Sequence, residues 1–196
     1  MSFIVLHYTA CSLKETLKIF LDPKSKVSAH FVIDVDGKIY NCVEINKSAW
    51  HSGQSCFSDT QNKDLKNFND FSIGIELVNL NGNLFNYSEH QYDSLFYLVK
   101  YLQTKYPLLK DPNKILGHEH IAGFRGKADP GYFFDWKKLF AICYENQTPP
   151  IRKPIISSEI LKKYQSQLKQ KDINFKALNQ SLEKTLNQNY NKSKVG

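Results

Sequence analysis

A short apolar run that stops at a histidine constrains this chain more than any other feature. Phe3-Ile4-Val5-Leu6 shows no polar alternation, the pattern of a strand buried on both faces, and His7 closes it. Such a strand needs a packing layer on each side, and the following sequence supplies candidates. Ser12 with Glu15 three residues on forms a capping box ahead of Leu13, Leu17 and Phe20, so a helix is expected to about Leu21, before Pro23. Ser88 with Gln91 opens a second one ahead of Tyr92, Leu95, Phe96, Val99, Leu102 and Tyr106, ending before Pro107. Asp36-Gly37, flanked by Ala29 to Asp34 and Lys38 to Val43, is a hairpin signal. Phe71 to Val78 and Lys114 to Gly117 read as further strands, the latter delivering His118, and Trp136 to Tyr144 as a last helix. Residues 51–69 and 123–131 read as loops. Strands alternating with capped helices indicate an α/β domain whose ligands sit at strand ends.

Length and composition narrow the function classes. A chain of 196 residues is one ordinary domain with some 50 residues to spare, and 41% hydrophobic with 23% charged residues excludes collagen-like, disordered and membrane-embedded classes. The opening apolar run is too short for an export signal or a membrane span, so the chain as written reads as cytoplasmic, with the cell envelope as the alternative if it is trimmed at its start. The net charge of +7 is carried entirely by residues 147–196; residues 1–146 are balanced. That division removes the case for nucleic-acid binding by the main domain. The boundary is accordingly set at 146/147: a domain, then a basic tail with a connector holding Pro149, Pro150 and Pro154. Beyond it, Ile160, Leu161, Tyr164 and Leu168, then Phe175, Leu178, Leu182 and Leu186, fit either two short amphipathic helices or a solvated extension. Cys11, Cys42, Cys56 and Cys143 form no C-x-x-C pair and read as reduced, small buried side chains.

The chemistry-bearing residues sit at strand ends. His7 closes one strand, His118 and His120 another, and Asp129 follows in a loop bounded by glycine and proline. Two imidazoles and a carboxylate make a three-ligand zinc set with a fourth position left for water, the donor count of a catalytic rather than a structural site. His118 and His120 both remain candidates, because residues i and i+2 on an extended segment share a face. Glu76 emerges from the apolar Ile73-Gly74-Ile75, where a carboxylate needs a partner or a role. Trp50 and His51 are candidates to line a substrate groove, Asn69 to orient substrate polar groups, and His30 reads as a satisfied core histidine.

Five blocks in order carry a family resemblance. Val5-Leu6-His7-Tyr8-Thr9-Ala10, Ser28-Ala29-His30-Phe31 with Asp36-Gly37, Ala49-Trp50-His51-Ser52-Gly53, Asn69 through Glu76, and Gly117-His118-Glu119-His120-Ile121-Ala122 through Lys127-Ala128-Asp129-Pro130-Gly131 resemble the type 2 zinc N-acetylmuramoyl-L-alanine amidases. The resemblance spans about residues 3–140. It implies a mixed β-sheet flanked by helices, as in peptidoglycan-recognition proteins, with Zn²⁺ on His7, His118 and Asp129 and His120 left out. It also implies Glu76 as the acidic residue beside the attacking water and Lys127 as the cation facing the scissile carbonyl. The implied reaction cuts the amide between the lactyl group of N-acetylmuramic acid and L-alanine, in peptidoglycan fragments or cell wall. The alternative is a non-cleaving recognition module of the same fold. The chain departs from the family's usual His-x-x-Ile-Ala-Pro-Gly-Arg-Lys-x-Asp in one place: Gly123-Phe124-Arg125-Gly126-Lys127 adds a residue, and Arg125 receives no assigned contact. The tail is faintly similar to a helical peptidoglycan-binding module, and its charge suits a carboxylate-bearing wall.

Overall fold

The computed structural model describes residues 1–58, 64–145, 147–168 and 173–193. The opening apolar run becomes β1 (Phe3–Tyr8), followed by α1 (Leu13–Leu21) and the hairpin strands β2 (Phe31–Ile33) and β3 (Ile39–Asn41). Next come β4 (Cys56–Ser58), β5 (Asp64–Lys66), β6 (Ser72–Leu77) and the long α2 (Glu89–Lys105). The chain closes with β7 (Ile115–Gly117), α3 (His118–Ala122), α4 (Trp136–Cys143), α5 (Ser158–Gln167) and α6 (Phe175–Ser193). Both capping boxes form: the Ser12 and Ser88 hydroxyls accept from the backbone N–H of Glu15 and Gln91, whose side chains accept in return.

The main sheet has the order β3-β2-β6-β1-β7. β1 lies between β6 and β7, parallel to both, while β2 is parallel to β6 and antiparallel to β3, so the sheet is mixed and helix-flanked as expected. Pleating divides the side chains of β1 between two cores. Ile4 and Leu6, with Ile73, Ile75 and Ile115, pack against α2 and α4 through Leu95, Val99, Leu102, Leu139 and Phe140. Phe3 and Val5, with Leu116, pack on the other face against Phe68, Ile121 and Ala122. No helix among the described residues is long and apolar enough to cross a membrane.

Three local expectations change. The segment 51–69 is not wholly loop: β4 and β5 pair antiparallel within it, and residues 59–63 lie outside the described residues. His118 does not close a strand but begins α3, because the chain turns directly from Gly117 into a helical turn. Of the four cysteines, all free, only Cys143 is buried; Cys42 is exposed and Cys11 and Cys56 are half-buried.

Residues 147–168 and 173–193, set apart above as a basic tail, pack back onto the sheet domain; residues 169–172 and 194–196 lie outside the described residues. The Pro-containing connector is tied down: the Arg152 guanidinium donates to the Ile115 carbonyl at 3.0 Å, and the Ile155 N–H donates to the Glu119 carboxylate at 2.9 Å. The apolar stripes of α5 and α6 close a third cluster, in which Leu161, Tyr164, Leu178, Leu182 and Leu186 enclose Leu84 and Ala128. Tyr164 is wholly buried, its hydroxyl bonded to Ser181 and Thr185 on α6. Leu182, 1% exposed, sits at the centre of this contact. Leu182→Ala is expected to lower unfolding free energy by about 2–5 kcal/mol. Urea denaturation of the full chain measures it, and an unchanged midpoint would mean the helices do not dock.

Candidate metal centre

The register of the three parallel strands assembles the site. His7 on β1 is opposite Glu76 on β6, and Leu6 is opposite Gly117 on β7, so His118 emerges beside His7 at the same edge. This is the carboxyl edge of the strands, where open α/β sheets carry ligands. Asp129 reaches the same point from the loop after α3. The Asn83 side-chain amide donates to the Ala128 carbonyl and the Tyr87 hydroxyl to the Pro130 carbonyl, fixing the backbone on either side of Asp129.

His7, His118 and Asp129 are buried, and their ligand atoms lie within 4.8 Å of one another. Asp129 Oδ2 is 2.9 Å from His7 Nδ1 and 3.0 Å from His118 Nδ1. The surrounding hydrogen bonds assign the protons on these rings. The Ser72 hydroxyl donates to the Phe68 carbonyl at 2.5 Å, so its oxygen accepts from His51 Nε2–H at 3.3 Å. His51 Nδ1 therefore holds a lone pair and accepts from His7 Nε2–H at 3.0 Å. In a neutral His7 that leaves Nδ1 bare. On the other side His118 Nε2 lies 3.1 Å from the Ser52 carbonyl, which can only accept, and 3.4 Å from Arg125 Nη2; a proton on Nε2 satisfies the shorter contact and leaves Nδ1 bare as well. Three lone-pair atoms thus face one point. This donor set fits a divalent cation, with the outer nitrogen of each imidazole held as metal-ligating histidines usually are.

Electrostatics agrees with that arrangement. Burial, reinforced by His118, lowers His7 to about 4, so its imidazole is neutral at pH 7. Burial alone would raise the Asp129 carboxyl, but in the metal-free site a proton carried on His118 or His7 Nδ1 pairs with Asp129 Oδ2, which outweighs burial and holds the carboxyl well below the ordinary carboxylate range. His51 is kept neutral by burial and by the neighbouring His7.

The cluster forms the floor of a cleft of about 350 Å³ that also exposes Trp50, Glu76, Arg125, Lys127 and Glu183. Trp50, 52% exposed, stands on its rim rather than in the core. His51 lies in the floor as the partner of His7, not as groove lining. Its ring rests on Gly74, where a Cβ would come within 2.4 Å of Cγ, so β6 needs glycine at that position. Asn69 does not line the cleft: its Oδ1 accepts from the His51 and Ser52 N–H groups and the Ser52 hydroxyl, which fixes the turn holding His51. His30 is a satisfied core histidine, accepting from the Gly74 N–H and bonded to the Lys47 carbonyl. Helical α3 turns His120 away from His118, and its Nδ1 accepts from the Gly117 N–H at 2.7 Å. Arg125 donates to the Ser52 carbonyl at 2.8 Å.

Glu76 is half-buried as a residue, but its Oε2 is enclosed and has no hydrogen-bond partner among the described residues. Burial, then the Asp129 carboxylate, raises its pKa from 4.5 to about 8, against the opposing pull of Lys127. A carboxyl raised in the folded state binds protons the unfolded chain has released, so its contribution to stability falls as pH climbs from 4.5 to 8. In the metal-free protein, Glu76→Gln is therefore expected to match the parent near pH 4.5 and exceed its melting temperature at pH 8. The gain expected is roughly 2–4 °C, what about 1 kcal/mol produces in a chain of this size. Equal melting curves at both pH values would contradict it.

Residues 1–132 match the N-acetylmuramoyl-L-alanine amidase family model Amidase_2. The chain is 39% identical over 117 residues to the 1,6-anhydro-N-acetylmuramyl-L-alanine amidase AmpD of Citrobacter freundii, covering 60% of this chain and 57% of that protein. It thus spans less than two thirds of that relative's length. It also resembles AMPDH3 from Pseudomonas aeruginosa, solved in complex with anhydromuramic pentapeptide, at TM-score 0.63 and 32% identity over 72% of this chain and 59% of that one. The amidase AmiD from E. coli, solved with anhydro-N-acetylmuramic acid-L-Ala-D-gamma-Glu-L-Lys, is similar at TM-score 0.64 and 28% identity over 72% and 56%. With two thirds of its length matched and the mixed sheet shared, the chain belongs to the Amidase_2 family of N-acetylmuramoyl-L-alanine amidases.

Proposed function

We propose that this protein is a zinc-dependent amidase that cuts between the lactyl group of N-acetylmuramic acid and L-alanine in soluble anhydro-muropeptides. The observation carrying the proposal is the convergence of three bare acceptor atoms, from His7, His118 and Asp129, beside a carboxylate with an unpartnered oxygen. The relatives named above add the substrate class, since one is an anhydro-muropeptide amidase and two were solved with such fragments bound. The two imidazoles and the carboxylate would hold the ion with a position left open for water. Bound there, zinc supplies an acidified water and polarises the carbonyl.

The chain's own residues perform the remaining steps. Glu76 takes the proton of the attacking water on its free oxygen and returns it to the leaving nitrogen of L-alanine. Lys127 donates to the oxygen that becomes negative as the carbonyl carbon turns tetrahedral. His51 keeps the His7 proton on Nε2, and the Ser52 carbonyl does the same for His118, so both Nδ1 atoms stay available. Trp50 offers an exposed ring at the cleft mouth for sugar or peptide.

Chelator dialysis is expected to abolish stem-peptide release from anhydro-muropeptides and added zinc to restore it. Glu76→Ala should keep the bound metal while turnover drops by about 10²- to 10⁴-fold. Parallel incubation with intact sacculi, read by product mass, separates soluble fragments from wall as substrate. Activity that survives chelation, or full turnover by Glu76→Ala, would overturn the mechanism.

A further inference from the structure

Helix α6 lies beyond the family-matched residues, yet it reaches the cleft. It grips three consecutive residues of the loop that carries Asp129. A Cβ on Gly126, at φ +86°, would come within 2.1 Å of the Glu183 carbonyl oxygen, so the α6 backbone lies directly on that glycine. Lys127 Nζ donates to Glu183 Oε1 at 2.5 Å. Ala128 is buried among Leu178, Leu182 and Leu186.

We propose that Glu183 is a positioning residue of the active site, holding the Lys127 ammonium at the cleft rim and away from Glu76. The inference rests on the roles given above to Lys127 and Glu76. Lys127 is a long side chain on a loop, and it lines the same cleft as Glu76 and His7. Glu76 has an oxygen without a partner. Without Glu183, the ammonium shares the cleft with the Glu76 carboxyl that must receive the water's proton, whose Oε2 has no partner among the described residues. An ion pair between them would remove the base and the oxyanion donor together. The Glu183 contact prevents it at low cost, because an ion pair 29% and 44% exposed can open when the oxyanion forms.

The test is a double-mutant cycle on the zinc-loaded full chain, with anhydro-muropeptide as substrate. Glu183→Ala is expected to lower kcat roughly ten- to hundredfold, the scale of a misplaced catalytic group, with KM within about twofold. Glu183→Asp should recover most of that loss. In a Lys127→Ala background, Glu183→Ala should cost nothing further, whereas a purely structural role would give additive losses. Zinc content and melting temperature should match the parent in every variant. Full activity of Glu183→Ala, or additivity with Lys127→Ala, overturns the positioning role and leaves the amidase reading standing. Full activity of Lys127→Ala instead removes the role of Lys127, and the inference with it.

Discussion

Three lone pairs aimed at one point repel each other, and much of the structure exists to hold them there. A proton on one of the two Nδ1 atoms or a bound cation relieves the repulsion, and in the absence of both the rigidity must come from the scaffold. Parallel pairing supplies the coarse placement: with β1 hydrogen-bonded on both sides, His7, Glu76 and the start of α3 cannot slip relative to each other without breaking two ladders. The fine placement comes from an outer layer of hydrogen bonds. The chain Phe68 carbonyl, Ser72, His51, His7 sets one tautomer, and the Ser52 carbonyl sets the other. Both run through the turn at residues 51–52, which Asn69 pins with three hydrogen bonds. Residues outside the cluster thus decide which nitrogen of each imidazole faces Asp129.

The same geometry separates the two carboxylates. Asp129 faces two imidazoles and is kept ionised, whereas Glu76 has an enclosed oxygen, no hydrogen-bond partner for it, and the Asp129 charge nearby. Burial pushes both upward, and only Asp129 has neighbours that reverse the effect. One carboxylate is thereby suited to holding a cation and the other to carrying a proton. A scaffold that places both at adjacent strand ends divides these tasks through their partners alone.

Elements with local signals were readable from the sequence. The run before His7, the Ser12 and Ser88 capping boxes and Asp36-Gly37 each act within a few residues, and the corresponding β1, α1, α2 and β2–β3 hairpin form where expected. Elements defined by distant partners were not. β4 and β5 are three-residue strands in a polar stretch, too short for period-two alternation to register. α3 has five residues and begins at a candidate ligand, so an extended reading of His118 to His120 and a helical one differ in no local pattern. His51 was readable as a site residue but not as the partner of His7, because tautomer control depends on a contact 44 residues away in sequence.

The basic C-terminal segment shows how an average conceals a role. Read by net charge, residues 147–196 suggest an appendage attracted to anionic polymer. The apolar stripes of α5 and α6 are instead occupied by each other and by Leu84 and Ala128, so the helices are committed to the domain. Of the three acidic residues in the segment, Glu183 faces the cleft, and it does so where a helix backbone already rests on Gly126. A carboxylate on a cationic helix gains little from its own neighbours; its partner is a lysine 56 residues earlier. A helix clamped on Gly126, Lys127 and Ala128 fixes the loop that carries Asp129, whose Oδ2 must stay about 3 Å from both His7 and His118 Nδ1.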